Sequence, residues 1–123
     1  MRTHTIATTL ALAVILHSPG AAADGNTLLR DCQSTVELYD SDGASGNALN
    51  SQYCLGSINA VGSLSVLLNG AISKEKQFCL PGNTTNIQIA RIVVKYINDH
   101  PNEMHYPEGY LVIGAFQDAF PCR

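Results

Sequence analysis

Four cysteines, Cys32, Cys54, Cys79 and Cys122, constrain this chain most, because what they become depends on the compartment in which it folds. The 123-residue sequence opens with Arg2, an apolar stretch from Ile6 to Leu16, a Ser18-Pro19-Gly20 breaker and then Ala21-Ala22-Ala23. A basic start, an apolar segment and a small-residue box in that order predict an export leader over residues 1–23, removed after Ala23. The apolar stretch is too short to cross a bilayer comfortably, and no cysteine follows the cut to carry a lipid, so no membrane anchor is expected. What remains, 24–123, is a single domain of 100 residues holding all four cysteines. An even count in an exported domain of this size predicts disulfides.

The cysteines lie 22, 25 and 43 residues apart with no C-x-x-C, which argues against a zinc knuckle and a thioredoxin-like pair. No metal and no cofactor are expected. Six basic against ten acidic residues after loss of Arg2 give a formal charge of −4, so the basic footprint needed for nucleic acid is missing. With 46% hydrophobic and 14% charged positions, the chain is too apolar to stay disordered.

Apolar periodicity predicts an all-α fold, a small bundle of four to five helices. Asn26 to Tyr39 is the first helix, with Leu29, Cys32, Val36 and Tyr39 on one face. Asp40 to Asn47 collects turn-forming residues; Asp40-x-Asp42-Gly43 has a calcium-loop flavour, but Ser45 and Ser51 stand where such a loop needs Gly and Glu. A solvated turn is the expectation. Ala48 to Asn69 is predicted as one long helix, with Cys54, Ile58, Val61, Leu64 and Leu68 recurring at helical spacing and Gly56 and Gly62 marking either a close helix contact or a kink. Thr84 or Thr85 can cap a helix from Asn86 to Asp99, which Pro101 ends. Pro107 opens the last helix, in which only Glu108, Gln117 and Asp118 are expected to face outward.

This pattern selects one cysteine pairing. If the first two helices are antiparallel and turn near Ala44, Cys32 lies 12 residues before the turn and Cys54 lies 10 after it, so they face each other. By the same logic Cys79 precedes the Asn86–Asp99 helix and Cys122 follows the last one. The expected bridges are Cys32–Cys54 and Cys79–Cys122, each stabilising by about 3–4 kcal/mol in the chain-entropy picture.

Catalytic groups are sparse. After leader removal the chain has two histidines, His100 and His105, with Pro101 between them, and neither G-x-S-x-G nor a phosphate-binding glycine loop. His100 is expected as a cation at the helix C-terminus rather than as a base. An enzyme is therefore not expected, and a hydrolase using His100 or His105 is the least favoured option. Asn83-Thr84-Thr85 forms a glycosylation sequon that matters only in a eukaryotic secretory route.

Several segments together resemble a known family: Leu29 to Cys32, Cys54-Leu55-Gly56-Ser57-Ile58, Phe78-Cys79-Leu80-Pro81, Arg91 to Ile97, His100-Pro101, and Ala115 to Cys122, whose Ala119-Phe120-Pro121-Cys122 end is the most specific. The chain is similar to the Rap/Tai immunity proteins of bacterial type VI secretion. Ser57 stands where that family would have an aromatic, and Ala60 where a second Gly is common. The resemblance implies a helical, often homodimeric periplasmic protein that binds and blocks a peptidoglycan-cleaving amidase effector. Blocking demands shape and hydrogen bonding rather than reactive groups. The exposed connections are then the expected contact surface: Asn98 to Glu108 first, with His100, Asn102, Glu103, His105 and Tyr106, and Ser73 to Phe78 second, with Lys74 and Lys76. The alternative from a different class is a small periplasmic acid-stress chaperone, which would expose apolar surface at low pH as carboxylates protonate.

Overall fold

The computed structural model describes residues 23–123. The expected leader lies, apart from Ala23, outside the described residues. Five α-helices make up the described chain: α1 (Gly25–Asp40), α2 (Ala48–Ser63), α3 (Ser65–Ala71), α4 (Asn86–Asp99) and α5 (Glu108–Ala119). Short 3-10 turns at Lys74–Lys76 and Pro101–Glu103 punctuate the connections. Among the described residues no single helix is long and apolar enough to cross a membrane.

Side-chain caps explain where three helices begin. The Asp24 carboxylate accepts the Thr27 N–H at 3.1 Å, the Asn47 amide oxygen accepts Asn50 N–H at 3.0 Å, and Thr85, not Thr84, caps α4 by accepting Gln88 N–H at 3.3 Å. The segment before α2 is the exposed turn that its composition predicts, and Asp40 at its edge is paired with Arg91 of α4.

Helices α1 and α2 form an antiparallel pair. Cys32 is bonded to Cys54 with Cα atoms 4.9 Å apart, and one turn further Thr35 donates to the Ser51 hydroxyl at 3.0 Å. The second expected bridge, Cys79–Cys122, is also present, with Cα atoms 5.0 Å apart. Leu28, Ile58, Val93, Ile97, Leu111 and Phe116 meet in one core between α1, α2, α4 and α5. Phe78, which belongs to no helix, is fully buried there against Phe116, with ring centroids 5.5 Å apart.

Three expectations are corrected. Ala48 to Asn69 is not one helix: Leu64 leaves helical geometry, and α2 and α3 meet at a 56° bend. Gly62, Ser63 and Ser65 around that point are weak helix formers, and the bend delivers Asn69 to the buried Phe78. There its side chain accepts the Phe78 N–H at 3.1 Å and donates to the Phe78 carbonyl at 2.7 Å. Gly56 and Gly62 make no close helix contact. A Cβ at Gly56 would meet nothing within 4 Å, so of the two explanations the kink fits, with Gly62 just before the bend. The close approach occurs at Gly25 instead, where a Cβ would fall 2.7 Å from the Met104 Cα and where the backbone N–H donates to the Met104 carbonyl at 2.8 Å. Finally, Tyr39 is 62% exposed, because the buried face of α1 runs through Leu28, Asp31, Cys32 and Thr35. Asp31 tolerates burial because Arg30 holds its carboxylate through Nε at 2.9 Å and Nη2 at 2.7 Å.

The two disulfides differ in access: Cys32 and Cys54 are fully buried, whereas Cys79 is exposed and Cys122 half-buried. Graded reduction followed by alkylation and mass spectrometry should label Cys79 and Cys122 at reductant levels that leave Cys32 and Cys54 oxidised; simultaneous labelling would contradict this. Asn69→Ala strands two main-chain groups of Phe78 and should lower stability to urea by about 2 kcal/mol, with both disulfides retained.

Candidate functional site

The connection between α4 and α5 is short and heavily tied down. His100 closes α4, its N–H donating to the Tyr96 carbonyl at 3.0 Å and its ring Nδ1 lying 2.8 Å from the same oxygen. This is the helix C-terminal position expected of it. The imidazole also stacks on the Tyr96 ring at 4.1 Å. Beyond Pro101 the Glu103 N–H donates to the His100 carbonyl at 2.9 Å, and the Tyr106 N–H donates to the Glu103 carbonyl at 2.9 Å. The Glu103 carboxylate turns inward, where it accepts the Tyr96 hydroxyl at 2.9 Å.

Of the residues singled out on this connection, Asn102 and His105 are exposed, Tyr106 is 45% exposed, and His100 and Glu103 are half-buried. His105 and Tyr106 form a tilted aromatic pair with ring centroids 4.4 Å apart. Next to them Tyr110 on the first turn of α5 is 71% exposed, and Tyr106, Pro107 and Tyr110 line an open recess. Tyr110 was expected in the core because its neighbours Leu111, Val112 and Phe116 are apolar. The α5 helix, however, sends Leu111, Val112, Ala115 and Phe116 inward and has one free face left for Tyr110. Tyr53 of α2, 62% exposed, lines a separate recess with Glu108, whose carboxylate accepts the Ser57 hydroxyl at 2.9 Å. The sequence carried a signal for both tyrosines in their phenolic hydroxyls, which seek water or a partner.

Lys74 and Lys76 are exposed on their 3-10 turn, with Glu75 between them. The Glu75 carboxyl is held below its ordinary value by its own backbone amide and then by the Ser73 hydroxyl, so the turn carries both signs of charge. The lysines do not join the Tyr106 cluster. The Lys76 carbonyl accepts the Gln117 side chain at 2.7 Å in the last turn of α5, whereas Tyr106 abuts the first, a rise of about 15 Å away. Nothing in this arrangement aligns a nucleophile with a base. All four cysteines are disulfide-bonded, and among the described residues no cluster of His, Cys, Asp and Glu could hold a metal ion.

The Rap1a immunity proteins match residues 24–122. The chain belongs to that family. No curated protein and no solved structure matches it. Membership in the Rap1a immunity family implies an immunity protein for a secreted effector, an inhibitor that binds that effector as its partner.

Tyr96 is the most perturbed ionisable group of this region: burial, then the Glu103 carboxylate that it donates to, raises its pKa from 10.0 to about 12. A raised value means that the fold favours the neutral phenol, so its contribution to stability is complete below pH 10 and is lost as the pH rises towards 12. An ultraviolet phenolate titration should show one of the five tyrosines ionising last, and Tyr96→Phe should remove that late step.

Proposed function

We propose that this Rap1a-family protein is exported to the periplasm by removal of residues 1–23, folds there as one disulfide-bonded domain, and occludes the cleft of a peptidoglycan amidase delivered by type VI secretion. The observation that carries the proposal is the exposed tyrosine cluster at the start of α5, Tyr106 and Tyr110 around Pro107, on a connection that main-chain bonds hold in place. Tyrosine supplies a large contact area with few rotatable bonds, and clusters of this kind recur as binding hot spots. Asn102 and His105 lie around the cluster as polar rim, and Lys74 and Lys76 steer from the other end of α5. A homodimer is part of the same proposal, with the exposed Leu64, Val66 and Leu67 at the α2–α3 corner as the apolar surface that it would cover.

The test combines purified mature protein with each peptidoglycan amidase encoded in the same genome. A stable complex and loss of amidase activity are expected, with Tyr106→Ala and Tyr110→Ala each weakening binding by about 30-fold. Lys74→Ala and Lys76→Ala should alter mainly the association rate and its salt dependence. Full amidase activity in the presence of excess protein would refute inhibition. Unchanged affinity in both tyrosine variants would refute this surface.

A further inference from the structure

Two of the residues that the sequence marks as contacts, His100 and Glu103, are turned towards the protein rather than away from it. Glu103 meets the Tyr96 hydroxyl at 2.9 Å, and His100 stacks on the Tyr96 ring and bonds to the Tyr96 carbonyl. The phenol in turn lies over α5 at Gly114, where a Cβ would fall 2.5 Å from the Tyr96 hydroxyl oxygen and 2.7 Å from Cζ. No side chain fits between them. Tyr96 therefore occupies a slot that glycine keeps open, and from that slot it holds Glu103, whose carbonyl receives the Tyr106 N–H. A continuous path of contacts runs from the middle of α5 through α4 to the backbone of the exposed aromatic cluster.

We infer that Tyr96 and Glu103 are positioning residues for the Tyr106–Tyr110 surface, with Gly114 supplying the space that Tyr96 needs, and that Glu103 acts on the partner through the connection and not by touching it. This rests on the assignment of that surface to effector binding. The physical basis is pre-organisation: a connection already fixed in its bound shape loses less conformational freedom when it docks. A carboxylate that accepts a phenol holds the turn from beneath without occupying the outer face.

The decisive variants separate holding from touching. Tyr96→Phe keeps the ring and its stack on His100 but removes the hydroxyl. In the free mature protein it should raise hydrogen exchange at the Glu103 and Tyr106 amides by about tenfold, with exchange in the α1–α2 pair unchanged. Dissociation from the amidase that the protein inhibits should quicken by a similar factor. Glu103→Gln retains an oxygen that accepts the phenol and should stay near the parent protein in both measurements, whereas Glu103→Ala should match Tyr96→Phe. Gly114→Ala should displace the phenol and have the same effect; should it fail to fold, the other three variants still decide. Unchanged exchange in Tyr96→Phe would overturn the inference, as would Glu103→Gln losing as much affinity as Glu103→Ala, since the charge itself would then be in contact. If Tyr106→Ala and Tyr110→Ala bind normally, the surface assignment fails, while the exchange data still decide whether Tyr96 holds the connection.

Discussion

The burial of Phe78 is the constraint on which most of this structure turns. A fully buried residue outside any helix brings a main-chain N–H and carbonyl into the core with no helical partner, and such groups are costly unless hydrogen-bonded. Asn69 satisfies both, which explains why α2 cannot run straight on into α3: an unbent helix would not bring that amide to Phe78. On the other side, the Cys79 N–H donates to the Phe120 carbonyl at 2.8 Å and the Cys122 N–H to the Gln77 carbonyl at 3.2 Å, so the end of the chain is paired to the same segment. The Cys79–Cys122 disulfide closes that pairing covalently. One aromatic side chain thus accounts for the bend, the docking of the C-terminus and the place of the second disulfide.

The sequence was most legible where local chemistry repeats along the chain. The all-α fold, a threonine cap at Thr84 or Thr85, the end of α4 before Pro101 and both cysteine pairings follow from periodicity and turn residues, because each depends on neighbours within a few positions or on the geometry of an antiparallel pair. Features set by tertiary contacts were not legible. The buried face of α1 includes Asp31, Ser34 and Thr35, and hydrophobicity cannot favour a face whose polar members are paid for by Arg30 and Ser51. Gly56 and Gly62 are small residues within a helix pattern, whereas close approach occurs at Gly25 and Gly114, against Met104 and Tyr96, and at Gly46 against Ser34 and Leu38, contacts that helical periodicity does not encode.

The same distinction applies to the candidate surface. Composition identified the exposed connection between α4 and α5 as rich in polar and aromatic groups, but not which side chains point out. Glu103 and His100 are spent on Tyr96, and Tyr110 emerges from a helix whose sequence looks uniformly apolar. An inhibitor benefits from this division. Side chains directed inward make the connection stiff, and those directed outward can then bind without first being ordered, which is where flexible loops lose affinity. Mounting the tyrosines beside the first turn of a packed helix serves the same end, since α5 is anchored through Leu111, Val112, Ala115 and Phe116.

The two disulfides fit this division of labour. Cys32–Cys54 lies within the α1–α2 pair, which packs against α4 and supports the connection from below; its complete burial keeps reductants away from the part of the fold that the surface needs. Cys79–Cys122 lies at the opposite end of α5, near the turn carrying Lys74 and Lys76, where the Gln117 side chain reaches the Lys76 carbonyl. With it open, the chain end would be held to the Phe78 segment only by the Cys79–Phe120 and Cys122–Gln77 main-chain bonds. Of the two covalent ties, the one within the helix pair that packs beneath the connection is thus the one sealed in the core.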